Sequence, residues 1–317
     1  MTAVQEKGGP ASAPGRPAPS PFKGKKRPGE AIIILVLRLA AVVTVLTTIG
    51  ILLALLIPSL GFFREVPVTE FLFGDRWSPR FADASFGVLP LISATLWTTG
   101  IALLIAVPLG LGAAVLLSEY ASPRLRRILK PILEILAGVP TVVYGYFALT
   151  FVQATVLREW VGLDTGAFSV LAAGLVMGVM IVPTVASISE DAMSAVPGAL
   201  RQGSAALGAN RMQTSMRVVF PAALSGIVAA IVLGVSRAVG ETMIVALAAG
   251  SQARVVGNPL EQGQTMTGFI ANAALGDSRV GSIEYDTLFA VGLLLFLITL
   301  LVNFISIRFV RRFREAY

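Results

Sequence analysis

The sequence predicts an all-α polytopic membrane protein of six spanning helices with both termini cytoplasmic. Three observations carry that prediction. Across 317 residues, 55% are hydrophobic and 14% charged, and mean hydropathy is +0.80, a balance foreign to water-soluble domains. Six segments reach the roughly 20 apolar residues that a spanning helix needs. Basic residues then divide unevenly between alternate loops: seventeen of the 25 fall on one side and six on the other, with Arg38 and Arg237 inside spans. The richer side carries both termini, and the positive-inside bias makes that side cytoplasmic. The same bias explains the net charge of +7 without any nucleic-acid partner.

Residues 1–30 are rich in Pro, Gly, Ser and Lys and read as a disordered basic tail. The apolar run 31–57 is too long for the core of a signal peptide and lacks a small-residue cleavage site at its end, so it reads as an uncleaved first span. A polar external loop, 58–87, follows. The core, 88–307, holds five further spans at 88–117, 131–153, 167–188, 222–250 and 287–307, and a basic tail closes the chain at 308–317. Pro90, Pro108, Pro140 and Pro183 lie inside or at the edges of spans, where packed neighbours tolerate kinks. Gly174 and Gly178 form a GxxxG pair that allows close helix contact.

Composition removes much enzymology. The counts of Cys and His are both zero, which excludes disulfides, thiolate nucleophiles, imidazole bases and the usual soft metal ligands. No G-x-x-x-x-G-K-[ST] phosphate loop occurs, so the chain is not itself an ATPase. It is expected to bind no cofactor.

Two stretches carry functional information. The first is the cytoplasmic loop 189–221, whose segment ALRQGSAAL lies between Pro197, able to open a short helix, and Gly208, able to close one. Its small side chains suit close approach of a partner backbone; an interfacial connecting helix without a partner is the other reading. The second is SRAVGETM, which puts Arg237 and Glu241 inside the fifth apolar segment. Each charge at mid-membrane costs about 2.5–3.5 kcal/mol. On a continuous helix the two share one face, but such a pair gains only a few tenths of a kcal/mol. Self-pairing therefore does not explain them. A guanidinium on an anion pathway does, with Glu241 positioning the arginine, Ser236 and Thr242 adding hydroxyls, and Gly240 allowing close approach. An ion pair buried against another subunit remains the alternative.

Glu134, four residues after Lys130, reads as a structural residue able to pair with it at a wet helix end, with gating or subunit contact as the other reading. In QTMTGFIANAAL, residues Met266, Phe269, Ile270, Ala273 and Ala274 follow helical spacing and predict an amphipathic helix on the outer face, in a vestibule, against a delivering protein, or simply at the interface.

The loop 189–221 resembles the coupling segment of ABC-importer permeases, whose pattern is EAA, three residues, Gly, nine residues, Ile, one residue, Leu-Pro. Gly208, Val218, Phe220 and Pro221 fall at the glycine, isoleucine, leucine and proline, while Gln202, Gly203 and Ser204 occupy the EAA triplet. The resemblance implies a type I importer permease fold, with this helix, Arg201 included, docked on an ATPase subunit. The lost Glu puts a salt bridge from that position in question. SRAVGETM, with FGVLPLISATLWTTGIALLIAVPLGLGAAVLLSEY and LEILAGVPTVVYGYFAL, is similar to the permeases of phosphate-specific ABC importers, the PstC-type subunit more than the A-type. That likeness runs from about Phe71 to the last span. It implies a phosphate path at Arg237 and Glu241, a second permease (PstA-type), two ATPase subunits (PstB-type) that bind ATP and Mg, and an external phosphate-binding protein (PstS-type), in a bacterial inner membrane. Permeation of another oxyanion such as sulfate or molybdate, or a passive anion channel, are the competing functions.

Overall fold

The computed structural model describes residues 28–81, 83–276 and 278–313. The basic tail expected over 1–30 lies outside them except for its last three residues, as does the end of the C-terminal tail. The chain divides into two units, Met1–Leu52 and Leu53–Tyr317. The first contributes the start of α1 (Pro28–Glu65), whose side chains from Ile32 to Leu52 are exposed, as lipid-facing groups are.

Among the described residues, the second unit is helical with one isolated bridge, Trp77 to Phe86. Two helices form its axis: α3 (Leu89–Val115), prolonged by a π-wound turn Leu116–Tyr120, and α6 (Val170–Ser194). Gly174 and Gly178 let them meet. A Cβ on Gly174 would lie 2.8 Å from Ile101, and one on Gly178 would lie 3.0 Å from the Ala102 carbonyl. The GxxxG pair is thus a true contact face. Pro108 and Pro183 are accommodated inside these two helices.

The third expected span is not one rod. α4 (Pro123–Gly138) and α5 (Thr141–Phe147), the latter continuing π-wound to Trp160, meet at 87°. Val139 takes φ −65° and ψ 129°, because the proline ring of Pro140 pushes the residue before it out of helical conformation. The fifth expected span is broken too. A helical stretch, Arg211–Ala222, built from α8 (Arg211–Thr214), a π-wound turn and α9 (Phe220–Ala222), turns by 71° into α10 (Leu224–Gly240). After a two-residue break comes α11 (Met243–Ala248). Among the described residues, four helices are long and apolar enough to cross a membrane, or up to six if each bent pair forms one span. α12 (Met266–Ala274) is the predicted amphipathic helix, and α13 (Ile283–Phe313) runs past the expected limit of 307.

The segment expected as a polar loop, 58–87, is instead structured. α1 persists to Glu65 and α2 (Val68–Phe73) follows. Phe62, Phe71, Trp77 and Phe86 form a buried cluster with Met266 and Phe269, in a chain of edge-on aromatic contacts ending at Trp77–Phe269, 4.9 Å between centroids. Its rings are spaced among polar residues, so hydropathy averaging misses them.

Candidate functional site: the break after Gly240 and the short helix that follows Pro197

α10 ends at Gly240. Glu241 is extended (φ −65°, ψ 130°) and Thr242 lies at φ −114°, so Arg237 and Glu241 do not share a continuous helical face. The expectation that they do is corrected here. The cause is local: the Glu241 carboxylate accepts from the backbone N–H of Met243 at 3.0 Å and of Ile244 at 3.3 Å. It satisfies orphan donors at the start of α11, as an N-cap side chain does. The Glu241 carbonyl in turn accepts from the Thr267 hydroxyl of α12 at 2.7 Å. Glu241 is buried, and among the described residues its carboxylate is met by peptide N–H groups and by no cation.

Arg237 lies in the last turn of α10, half-buried, and makes no ion pair with a described residue. Its Nη1 donates to the Thr184 hydroxyl of α6 at 3.1 Å. A guanidinium has five N–H donors, and this is the one bond it makes to the described protein. The hydroxyls expected beside it go elsewhere. Ser236 donates to Asn303 of α13 at 3.1 Å, and Thr242 donates to the Gly240 carbonyl at 3.2 Å. One fixes a helix contact and the other braces the break.

The loop 189–221 begins later than expected, since α6 continues to Ser194. α7 (Gly198–Ala206) follows, opened by Pro197 and closed by Gly208 at φ +83°, a conformation that suits glycine. Gln202 is exposed, and Gly203 has open space where a Cβ would stand. Ser204 shares a hydrogen bond with Thr214 at 2.9 Å, and Pro221 lies in α9. Leu207 is 91% exposed. Gly203, Ser204, Leu207, Gly208 and Gln213 line a shallow cavity of about 550 Å³. Arg201 points inward: it binds Glu119 at 2.9 Å and the carbonyls of Met193 and Val196 at 2.8 and 2.6 Å. Rather than reaching for a partner, it staples α7 to the ends of α3 and α6.

Lys130 does not pair with Glu134, which is exposed and makes no ion pair with a described residue. Lys130 binds Glu190 at 2.9 Å and Asp191 at 3.2 Å, and Arg126 also binds Glu190. The Glu190 side chain is 1% exposed. α4 has no buried side chain of its own, so these two cations are its polar hold on α6. Sequence reasoning missed Glu190 because it placed the helix end before it, and missed Thr184 because nothing local marks a serine- or threonine-type partner for a distant arginine.

A family model, "Binding-protein-dependent transport system inner membrane component", matches residues 106–315, from mid-α3 through α7 to α13. The chain belongs to this family. The permease is 40% identical over 243 residues to the probable ABC transporter permease protein YqgH of Bacillus subtilis, covering 75% of this chain and 78% of that one. It is 38% identical to the phosphate transport system permease protein PstC 1 of Mycobacterium tuberculosis, covering 72% and 73%. To the PstC of Mesorhizobium japonicum it is 33% identical, covering 74% and 75%. Among solved structures it is similar to the inward-facing MetNI methionine ABC transporter, with a TM-score of 0.57, 23% identity, and coverage of 72% of this chain and 96% of that one. A bacterial ABC transporter for alginate import gives a TM-score of 0.59 at 17% identity, covering 90% and 100%. These likenesses establish the type I ABC-importer permease fold. The permease is a membrane subunit and not an ATPase, and the family works with ATPase and substrate-binding partners.

Proposed function

We propose that this permease lines the translocation pathway of an ATP-driven importer of inorganic phosphate, moving the anion by alternating access. The observation that carries the reading is the Arg237 guanidinium: an unneutralised cation in a membrane span, held by one neutral hydroxyl, with donors left over. A permanently charged, planar donor set matches tetrahedral oxyanion oxygens. Relatives named as phosphate transport permeases favour phosphate among such anions. Glu241 contributes by geometry, fixing the break that ends α10 just beyond Arg237. The termini and α7 face the cytoplasm of a bacterial inner membrane, where α7 seats on the ATPase subunit that binds ATP and Mg. A PstA-type permease, two PstB-type ATPase subunits and a PstS-type binding protein complete the importer. The coupling helix disfavours a passive channel, which needs no such dock.

The test is uptake of labelled phosphate by the reconstituted complex, with sulfate, molybdate and arsenate as competitors. Uptake inhibited by arsenate and not by sulfate or molybdate is expected; dominant competition by sulfate or molybdate reassigns the substrate. Arg237→Ala should abolish uptake with the complex still assembled. Loss of assembly would instead make Arg237 a subunit contact.

A further inference from the structure

α12 has two working faces. Thr267 holds the Glu241 carbonyl. Two residues on, about 200° around the helix, Phe269 faces the other way, with Asn272 and Ala273 beyond it. These three form one wall of a cavity of about 610 Å³, closed by the turn Arg76–Phe81 and by Ser251–Ala253. The volume lies in the range of small-molecule sites and accommodates a partly hydrated tetrahedral anion.

The lining chemistry is one-sided. Arg76 and Arg80 are both exposed and line the cavity, neither makes an ion pair with a described residue, and among the described residues no Asp or Glu contributes to the walls. Gln264 is 8% exposed, lines the same space, and its side-chain amide makes no hydrogen bond to the described protein. The Trp77 indole N–H, also in the wall, is buried without a partner. The Gln264 amide, not being among the buried unpaired atoms, stays open to an oxyanion as a neutral donor, whereas the Trp77 N–H is sealed within the wall. The turn that presents the arginines is fixed: Gly87 donates to the Arg76 carbonyl at 3.0 Å, Ser78 donates to the Ser85 carbonyl at 2.8 Å, and Trp77 packs edge-on against Phe269. Two guanidinia carried on one backbone-pinned turn, with no described carboxylate in the wall, match the oxygens of an oxyanion.

We propose that this cavity is a second oxyanion site, one helix thickness from the Glu241 break, which receives phosphate on the delivery side of α12 before it reaches Arg237. The inference rests on the phosphate-importer reading. It assigns Arg76 and Arg80 as the charges that hold the anion and Gln264 as a neutral donor.

The test is equilibrium binding of radiolabelled phosphate to the full importer in nanodiscs, without binding protein or nucleotide. Wild type and Arg237→Gln should both show a saturable site. In the Arg237→Gln background, adding Arg76→Gln/Arg80→Gln should lose at least ten-fold in affinity, and adding Gln264→Leu a few-fold, while both variants still assemble with the ATPase subunits. Absence of the site in wild type overturns the proposal. So does wild-type phosphate binding in the double arginine variant, including the case where that variant loses its grip on the binding protein, which would make the cavity a protein dock. If wild type transports sulfate and not phosphate, the substrate reading fails by itself, and the same variants assayed with labelled sulfate still decide the cavity.

Discussion

Arg237 and Glu241 are four residues apart in sequence and serve different partners in space. The arginine leans on Thr184 of α6; the carboxylate caps the amides of Met243 and Ile244. Glu241→Gln keeps a carbonyl oxygen for those amides, whereas Glu241→Ala removes every side-chain acceptor, a loss of about 1 kcal/mol at such caps. Initial uptake rates should therefore fall further in the Ala variant than in Gln. Equal and complete loss in both would show that the negative charge itself acts on the anion. That this pair mattered was legible from the cost of placing charge in a span. How it mattered was not, because an i, i+4 reading presumes an unbroken helix. The contrary signal was present: a glycine followed by a side chain able to cap the next turn.

At the scale of elements, α4 shows what hydropathy alone conceals. Residues 131–153 average as one span, yet Pro140 splits them, and α4 is tied to α6 through Arg126 and Lys130 on Glu190. The two cations are about a third exposed or more, and the carboxylate is buried. Removing the acid lets the cations turn to water; removing both cations strands a buried charge. Arg126→Ala/Lys130→Ala should thus destabilise the complex more than Glu190→Gln, by roughly 3–5 kcal/mol against 1–2 kcal/mol, read as thermal unfolding in detergent. α7 was the most legible element, since Pro197 and Gly208 mark its ends in sequence and in space. Gly208→Val forces a branched side chain into a φ of +83° and should uncouple ATP hydrolysis from uptake. Unchanged coupling would remove α7 from the transmission path. The inward turn of Arg201 had no sequence signal, because its acceptors, Glu119 and two carbonyls, come from other elements.

For the whole molecule, span count and family were readable from apolar length, loop charge and the coupling pattern, and the α3–α6 contact from two glycines. The aromatic cluster around Phe62, Phe71 and Trp77 was not, since it is assembled from residues that long-range packing alone brings together. The break after Gly240 has a further consequence, for biogenesis. α10 has 17 residues and α11 six, so neither alone spans the hydrocarbon, which needs about 20. Arg237 adds an insertion cost of about 2.5–3.5 kcal/mol. Residues 224–248 should then be poor at partitioning from the translocon as an isolated segment and should depend on neighbours already in the bilayer. In a glycosylation-reporter fusion, 224–248 alone should integrate inefficiently, and 167–313 efficiently. Efficient integration of the short segment would mean that these two half-helices enter the lipid unaided and take up their break only later, during assembly.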